Sequence, residues 1–141
     1  MTFCFGKEAL LLPLASGSSV VIVSSGAAIG GSPLSGGYAG AKRMQWLLAQ
    51  YLQQEADVLQ LGIRFVALLP KQISGATELG RTASAAYAAQ QGISEQVLLE
   101  RSGPPLTPER VGDGVVALLT KEAYRDGIAF GVTSQELAAL D

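Results

Sequence analysis

The sequence predicts an α/β fold in which about three parallel strands are flanked by helices. Three short apolar runs, rich in β-branched residues, alternate with longer segments of helical periodicity. The runs lack polar alternation, which is typical of strands covered on both faces, and their alternation with helices indicates a parallel sheet. No repeat or long linker divides the 141 residues, so we expect a single domain over residues 1–141.

The first elements are a helix and a strand. Residues 3–14 predict a short helix, which Pro13 and the Ser16-Gly17-Ser18 turn bring to an end. Residues 20–23 (Val-Val-Ile-Val) predict a strand covered on both faces. A glycine- and serine-rich loop follows, over residues 24–37.

A long helix is predicted over residues 38–58. Its apolar stripe recurs at helical spacing and comprises Met44, Leu47, Leu48, Tyr51 and Leu52, with Trp46 outside it.

A second buried strand is predicted at residues 63–69, closed by Pro70. Residues 71–106 are less regular and predict two short helices, at 82–90 and 94–101. Thr107-Pro108-Glu109 is a typical helix start, and residues 128–132 predict a third strand.

Composition excludes several classes of function. The sequence contains no histidine, which removes histidine-based nucleophilic triads and most zinc sites, and we expect no metal. Cys4 is the only cysteine, so no disulfide forms within the chain. Acid–base chemistry must therefore depend on Tyr, Lys, Asp or Glu.

Charge and hydropathy bear on the partners of the protein and on its location in the cell. The net charge is −2 and the basic residues are scattered, so we expect no nucleic-acid partner. No apolar run approaches the length of a membrane span, and we expect a cytoplasmic protein that does not enter the membrane. Only 16% of residues are charged, which suggests that a partner subunit covers part of the surface.

The residues with the clearest chemistry lie between the first strand and the long helix. Tyr38 and Lys42 are four residues apart and share one helix face, where the lysine cation favours the ionised form of a tyrosine. Ser25 lies at the end of the preceding strand, the edge at which ligands bind open α/β sheets. The other interpretation is structural: Ser24 and Ser25 satisfy turn backbone groups, and Tyr38 packs with its hydroxyl in solvent.

These residues resemble the motifs of classical short-chain dehydrogenases. The similarity covers Val-Val-Ile-Val-Ser24-Ser25-Gly, the Tyr38-x-x-x-Lys42 pair and the thirteen-residue spacing from Ser25 to Tyr38. It extends to the strand at residues 61–66 with Pro70, and to the helix start at residues 107–111. The resemblance implies a partial, half-Rossmann fold.

The resemblance also implies roles for individual residues. Ser25 would orient a carbonyl or alcohol substrate, and Tyr38 would be the general acid/base. Lys42 would bind the nicotinamide ribose of NAD or NADP and favour the ionised form of Tyr38. The backbone near Pro70 and Ile73 would face the nicotinamide, and residues 71–106 would form a lid over the substrate.

Several features of the family are absent from this sequence. It has neither the glycine-rich Gly-x-x-x-Gly-x-Gly turn before the first strand nor the Asn-Asn-Ala-Gly stretch. Lys71 occupies the position of the glycine that normally follows the proline, and Gly131-Val132-Thr133-Ser134 replaces the usual Val-Asp-Gly-Gly. The similarity is therefore to the C-terminal, catalytic half of the family.

A different assignment places the loop after the first strand in the N-terminal half. Residues 25–31 loosely resemble the cofactor glycine loop, but the third glycine position is Ser32 and Pro33 follows directly. Because pyrophosphate binding needs a helix to begin there, the catalytic-half assignment is favoured.

The sequence thus predicts an NAD(P)-dependent oxidoreductase fragment, with a catalytically inactive, oligomerising remnant as the alternative. A third alternative is that the chain is an incomplete piece of such an enzyme, whose dinucleotide-binding half was lost or is on another chain. We expect a homo-oligomer, because the strand at residues 20–23 would have an unpaired edge. That edge could be covered by the first helix, or the chain could associate through the long helix near Trp46.

Overall fold

The computed structural model describes residues 1–73, 75 and 77–140 and confirms the α/β prediction. In chain order the elements are α1 (Thr2–Leu11), β1 (Ser19–Val23), α2 (Gly37–Val58), β2 (Arg64–Pro70), α3 (Glu78–Gln91), α4 (Glu95–Arg101), α5 (Pro108–Thr120), β3 (Ala129–Val132) and β4 (Leu137–Ala139). Three 3-10 turns, at Gly26–Ala28, Pro33–Ser35 and Glu122–Tyr124, complete the described secondary structure.

The sheet has the strand order β1-β2-β3-β4. The three predicted strands are parallel neighbours, with Val23 opposite Leu68 and Pro70 opposite Val132. The sequence analysis missed β4, which pairs antiparallel with β3 after a tight turn at Thr133. Its three residues are too few to produce a recognisable alternation.

Strand β1 lies at one edge of the sheet, and the prediction that it is covered on both faces is wrong. Of its five residues only Ile22 is buried, whereas the Val23 side chain is 46% exposed. By contrast, the five central residues of β2 are all buried, because β2 has a parallel neighbour on each side.

Helices α1 and α2 cover one face of the sheet and α5 covers the other, which gives two apolar clusters. The face of α2 that packs on the sheet differs from the predicted stripe: its fully buried residues are Ala49, Leu52 and Ala56. Met44 and Tyr51 are exposed, and Trp46 and Leu48 pack at the margin of the cluster. Small alanines allow the helix to approach the strands closely, and hydrophobicity alone underweights them.

Arg64 anchors β2 to the layer beneath it. Its guanidinium donates hydrogen bonds to the carbonyl oxygens of Leu118 (2.6 Å), Tyr124 and Gly127 (3.2 Å). Burial lowers the pKa of Arg64, and the nearby Asp126 carboxylate opposes that shift. The carbonyls at the end of α5 and in the following turn are thereby satisfied by one side chain.

In the described part of the chain, no helix has the length and apolar character needed to cross a membrane.

Candidate functional site

The carboxyl ends of β1 and β2 meet at one edge of the sheet. Ser24 still belongs to the β1–β2 ladder, since its amide donates to the Leu68 carbonyl at 2.8 Å. The next residue, Ser25, therefore lies beside the end of β2, close to Pro70. The parallel register of β1 and β2 thus brings together two of the predicted site residues, Ser25 and Pro70.

Ser24 and Lys42 tie the end of β1 to the second turn of α2. The buried Ser24 hydroxyl donates to the Lys42 carbonyl at 2.7 Å. In the opposite direction, the Lys42 ammonium donates to the Val23 carbonyl at 3.2 Å. The two bonds hold the start of α2 at the carboxyl edge of the sheet.

Tyr38 and Lys42 lie next to each other on α2, as their spacing predicts. The Lys42 Nζ atom is 5.8 Å from the centre of the Tyr38 ring, and the Tyr38 side chain is 40% exposed. An ammonium has three N–H donors. One is directed at Val23, so two remain for other acceptors.

Ser25 is half-buried and caps the short turn that follows it. Its Oγ accepts a hydrogen bond from the Ala27 amide at 3.2 Å. Among the described residues, no hydrogen bond joins Ser25 to Tyr38 or Lys42. The hydroxyl proton of Ser25 stays available, since only its oxygen is used by the cap.

The loop after Ser25 packs directly on the backbone that leaves β2. A Cβ atom added to Gly26 would lie 2.8 Å from the Lys71 Cα and 3.1 Å from the Pro70 carbonyl oxygen. Only glycine permits that approach. Lys71 continues the sheet edge by donating its amide to Val132, and Ile73 is half-buried two residues further on.

The segment at residues 71–106 contacts the carboxyl edge of the sheet at two places. Two of its residues, Ser74 and Ala76, lie outside the described residues. Gln72 bonds to the Ser102 carbonyl and to the Ser134 amide. Tyr87, on α3, forms a short hydrogen bond with the Ser32 hydroxyl. Hydrogen bonds from Ser32 and then Ser35 lower the pKa of Tyr87, and partial burial opposes them.

The sequence analysis named Ser24 only as a structural residue, and its hydroxyl does bond to a backbone carbonyl, as the Ser25 hydroxyl bonds to a backbone amide. It did not identify Gln72 or Tyr87. For Tyr87 one signal was present: it is the single aromatic residue in residues 71–106. An isolated aromatic in a variable segment does not by itself indicate what it contacts.

The described groups at this edge include an ammonium, on Lys42, and a phenol hydroxyl, on Tyr38, which are suited to binding hydroxyl and carbonyl oxygens. A pyrophosphate is bound by a glycine-rich turn at the start of a helix. Here α2 is preceded by Pro33–Ser35 and Gly36 in place of such a turn.

Two further features of the described residues bear on where chemistry could take place. A cavity of about 440 Å³ lies between α5 and β4 and contains none of the predicted site residues. The described residues include no group of His, Cys, Asp or Glu that could hold a metal ion.

Comparisons with known proteins give a fold and no family. The sequence matches no protein-family model and no curated protein. The structure is similar to the crystal structure of sorbitol-6-phosphate 2-dehydrogenase from Erwinia amylovora, with a TM-score of 0.72 and 17% identity. The match covers 94% of this chain and 52% of that one. The chain thus has a partial Rossmann-like fold and spans about half the length of that structure.

Replacing Gly26 by alanine tests whether the site depends on the close contact with Pro70 and Lys71. Because the new methyl group meets backbone atoms that cannot rotate away, we expect Gly26→Ala to lower the free energy of unfolding by about 1–3 kcal/mol. Chemical denaturation measures the change.

Gly30→Ala is the matched control, since nothing lies within 4 Å of a Cβ added at Gly30. We expect it to change the free energy of unfolding by less than about 1 kcal/mol. Equal stability of the two variants would contradict the close approach.

Proposed function

We propose that this chain is the catalytic half of an NAD(P)-dependent oxidoreductase of the short-chain dehydrogenase/reductase type. The observation that carries the proposal is the position of Tyr38 and Lys42. They lie side by side on α2, and the Lys42 ammonium is bonded to the carboxyl end of β1, two residues before Ser25. The substrate would be a carbonyl compound or an alcohol.

Each of the three residues has a defined task in carbonyl reduction. The Ser25 hydroxyl donates a hydrogen bond that orients the carbonyl oxygen. The Tyr38 hydroxyl gives its proton to that oxygen, which becomes the alcohol, and Tyr38 is left as a phenolate. The Lys42 ammonium stabilises the phenolate by its charge. In alcohol oxidation the same proton returns to Tyr38.

The chemistry that NAD or NADP supplies when bound is hydride transfer to or from the substrate carbon. Lys42 would hold the nicotinamide ribose through its two remaining donors, and Tyr38 would contact the same ribose. The backbone near Pro70 and the half-buried Ile73 would pack against the nicotinamide. Because no described residues form a pyrophosphate cradle, we expect the whole dinucleotide to bind poorly to this chain alone.

We also propose that the chain self-associates through the open edge of β1. Ser18 and Ser24 bond to β2, so Ser19, Val21 and Val23 direct their backbone groups away from the sheet. The Val23 carbonyl already accepts from the Lys42 ammonium, and its second lone pair remains for a neighbouring strand. A second copy running antiparallel would pair Val21 with its own equivalent and Ser19 with Val23. These donors and acceptors are self-complementary about a two-fold axis.

The surface beside this edge suits a second neutral copy. A groove of about 190 Å³ lies between β1, α1 and α2, and its lining contains no charged residue: Thr2, Phe5, Gly6, Val20, Val21, Ile22, Val23 and Gln45. Helix α1 packs on α2 of its own chain, with Gln45 donating to the Thr2 hydroxyl at 3.1 Å. It therefore leaves the edge open. Apart from the Lys42 ammonium bonded to the Val23 carbonyl, the edge carries no charge, and largely apolar edges pair with other chains.

Binding of the two halves of the cofactor tests the proposed site directly. We expect nicotinamide mononucleotide to bind this chain with a Kd of about 1 mM and to shift the NMR signals of Tyr38, Lys42 and Ile73. We expect adenosine monophosphate to cause no shifts there, because the described residues include no glycine-rich turn that could hold the adenosine side.

Lys42→Met should weaken nicotinamide mononucleotide about tenfold by removing a charged hydrogen-bond donor. Lys121→Met, which removes an exposed lysine beside the distant cavity, should leave the affinity unchanged. Tighter binding of adenosine monophosphate, or equal affinities of the two variants, would refute the proposed site.

Sedimentation at micromolar concentration tests the proposed self-association. We expect a species of about twice the 14.6 kDa chain mass. Val23→Lys should shift it to monomer, since the new lysines would add unpartnered positive charge beside the Lys42 ammonium. Val116→Lys is the control, because Val116 is 59% exposed on α5. A monomeric native chain, or a Val23→Lys variant that still dimerises, would defeat the proposal.

A further inference from the structure

The base of the segment at residues 71–106 is fixed by one amide side chain. Gln72 donates to the carbonyl oxygens of Ser102 (3.0 Å) and Pro104 (3.2 Å), and it accepts from the Ser134 amide at 2.7 Å. These bonds join the two ends of the segment to each other and to the turn between β3 and β4. The helices α3 and α4 project from this base.

Helix α3 has little apolar surface with which to dock. Its buried residues are Gly80, Ser84 and Ala88, one per turn, and none has a large side chain. Ser84 is only 2% exposed, and its hydroxyl has no hydrogen-bond partner in the described part of the chain. Burial of small side chains contributes little stability. Polar contacts therefore contribute a larger share of the free energy that holds α3 in place.

The polar contact at the far end of α3 is the one between Tyr87 and Ser32. The two hydroxyls are hydrogen-bonded, and Ser32 also bonds to Ser35 at 3.1 Å. Across the described residues, the hydrogen bonds that link α3 or α4 to the loop between β1 and α2 are those that Tyr87 makes with this turn. The lowered pKa of Tyr87 is consistent with two hydroxyls that donate to it.

The loop that Tyr87 contacts leads directly into Tyr38. Gly31, which has a φ of +63°, packs so closely that an added Cβ would lie 3.0 Å from the Ala39 Cβ in the first turn of α2. Ser35 precedes Tyr38 by three residues. A displacement of Ser32 is therefore transmitted to the first turn of α2.

We propose that Tyr87 is a positioning residue of this site: its hydroxyl holds α3 against the Ser32–Ser35 turn and so controls access to Tyr38. The inference rests on the proposed function only for the role of Tyr38. With the contact formed, α3 is docked on the turn that precedes α2. With it broken, α3 separates from that turn and leaves Tyr38 more exposed.

Hydrogen–deuterium exchange of the intact chain tests the contact without any need for turnover. We expect Tyr87→Phe and Ser32→Ala each to speed exchange of α3 about fivefold and to leave β2 unchanged. The double variant should exchange no faster than either single variant, because both changes remove one bond. Tyr51→Phe, which alters an exposed tyrosine on α2, is the matched control and should have no effect.

Acetylation by N-acetylimidazole, mapped by mass spectrometry, tests access to Tyr38. We expect Tyr38 to react about twofold faster in Tyr87→Phe, a small factor because Tyr38 is already 40% exposed. Tyr51, at 53% exposed, is the internal standard and should keep its rate.

Three results would overturn the inference: unchanged α3 exchange in both single variants, additive effects in the double variant, or faster α3 exchange with an unchanged rate at Tyr38. None of them depends on cofactor binding. Failure of this inference is thus separable from failure of the proposed oxidoreductase site, which the mononucleotide titration decides.

Discussion

The backbone at Gly26 lies against the backbone of Pro70 and Lys71, and the rest of the candidate site is arranged around that contact. It keeps the loop after β1 on the carboxyl edge of the sheet, where Ser25 follows the last ladder bond of Ser24. The reciprocal bonds between Ser24, Lys42 and Val23 then place the start of α2 at the same edge. The position of Tyr38 is then set by that of Lys42, because the two residues share one helix face.

The sequence predicts those parts of the site that depend on local geometry. A four-residue spacing on a helix is enough to bring Tyr38 and Lys42 together, and an apolar run before Ser24 is enough to place Ser25 at a strand end. The same local patterns predict the three parallel strands and the helix start at Thr107. All of these are consequences of backbone periodicity.

The parts that escape prediction depend on contacts between distant segments. The bond between Tyr87 and Ser32 joins residues 55 positions apart, and nothing near either residue indicates the other. The sheet-facing surface of α2 uses Ala49 and Ala56, while the larger Met44 and Tyr51 are exposed. The distance at which α2 packs on the sheet decides which of its residues are buried, and a hydropathy pattern does not record that distance. The exposure of β1 likewise depends on which strands are its neighbours.

The described residues bring Ser25, Tyr38 and Lys42 to one edge of the sheet and include no dinucleotide cradle, in a fold that spans about half of a solved dehydrogenase. The central claim of our proposal is that Tyr38 acts as the acid in carbonyl reduction. The most direct measurement is the oxidation of millimolar reduced nicotinamide mononucleotide by a panel of carbonyl substrates. This donor supplies hydride without an adenosine half. The account predicts slow turnover that falls by about a hundredfold or more in Tyr38→Phe and is unchanged in Tyr51→Phe. Turnover that is equal in Tyr38→Phe and in the native chain, or absent from a native chain that binds the mononucleotide, would contradict it.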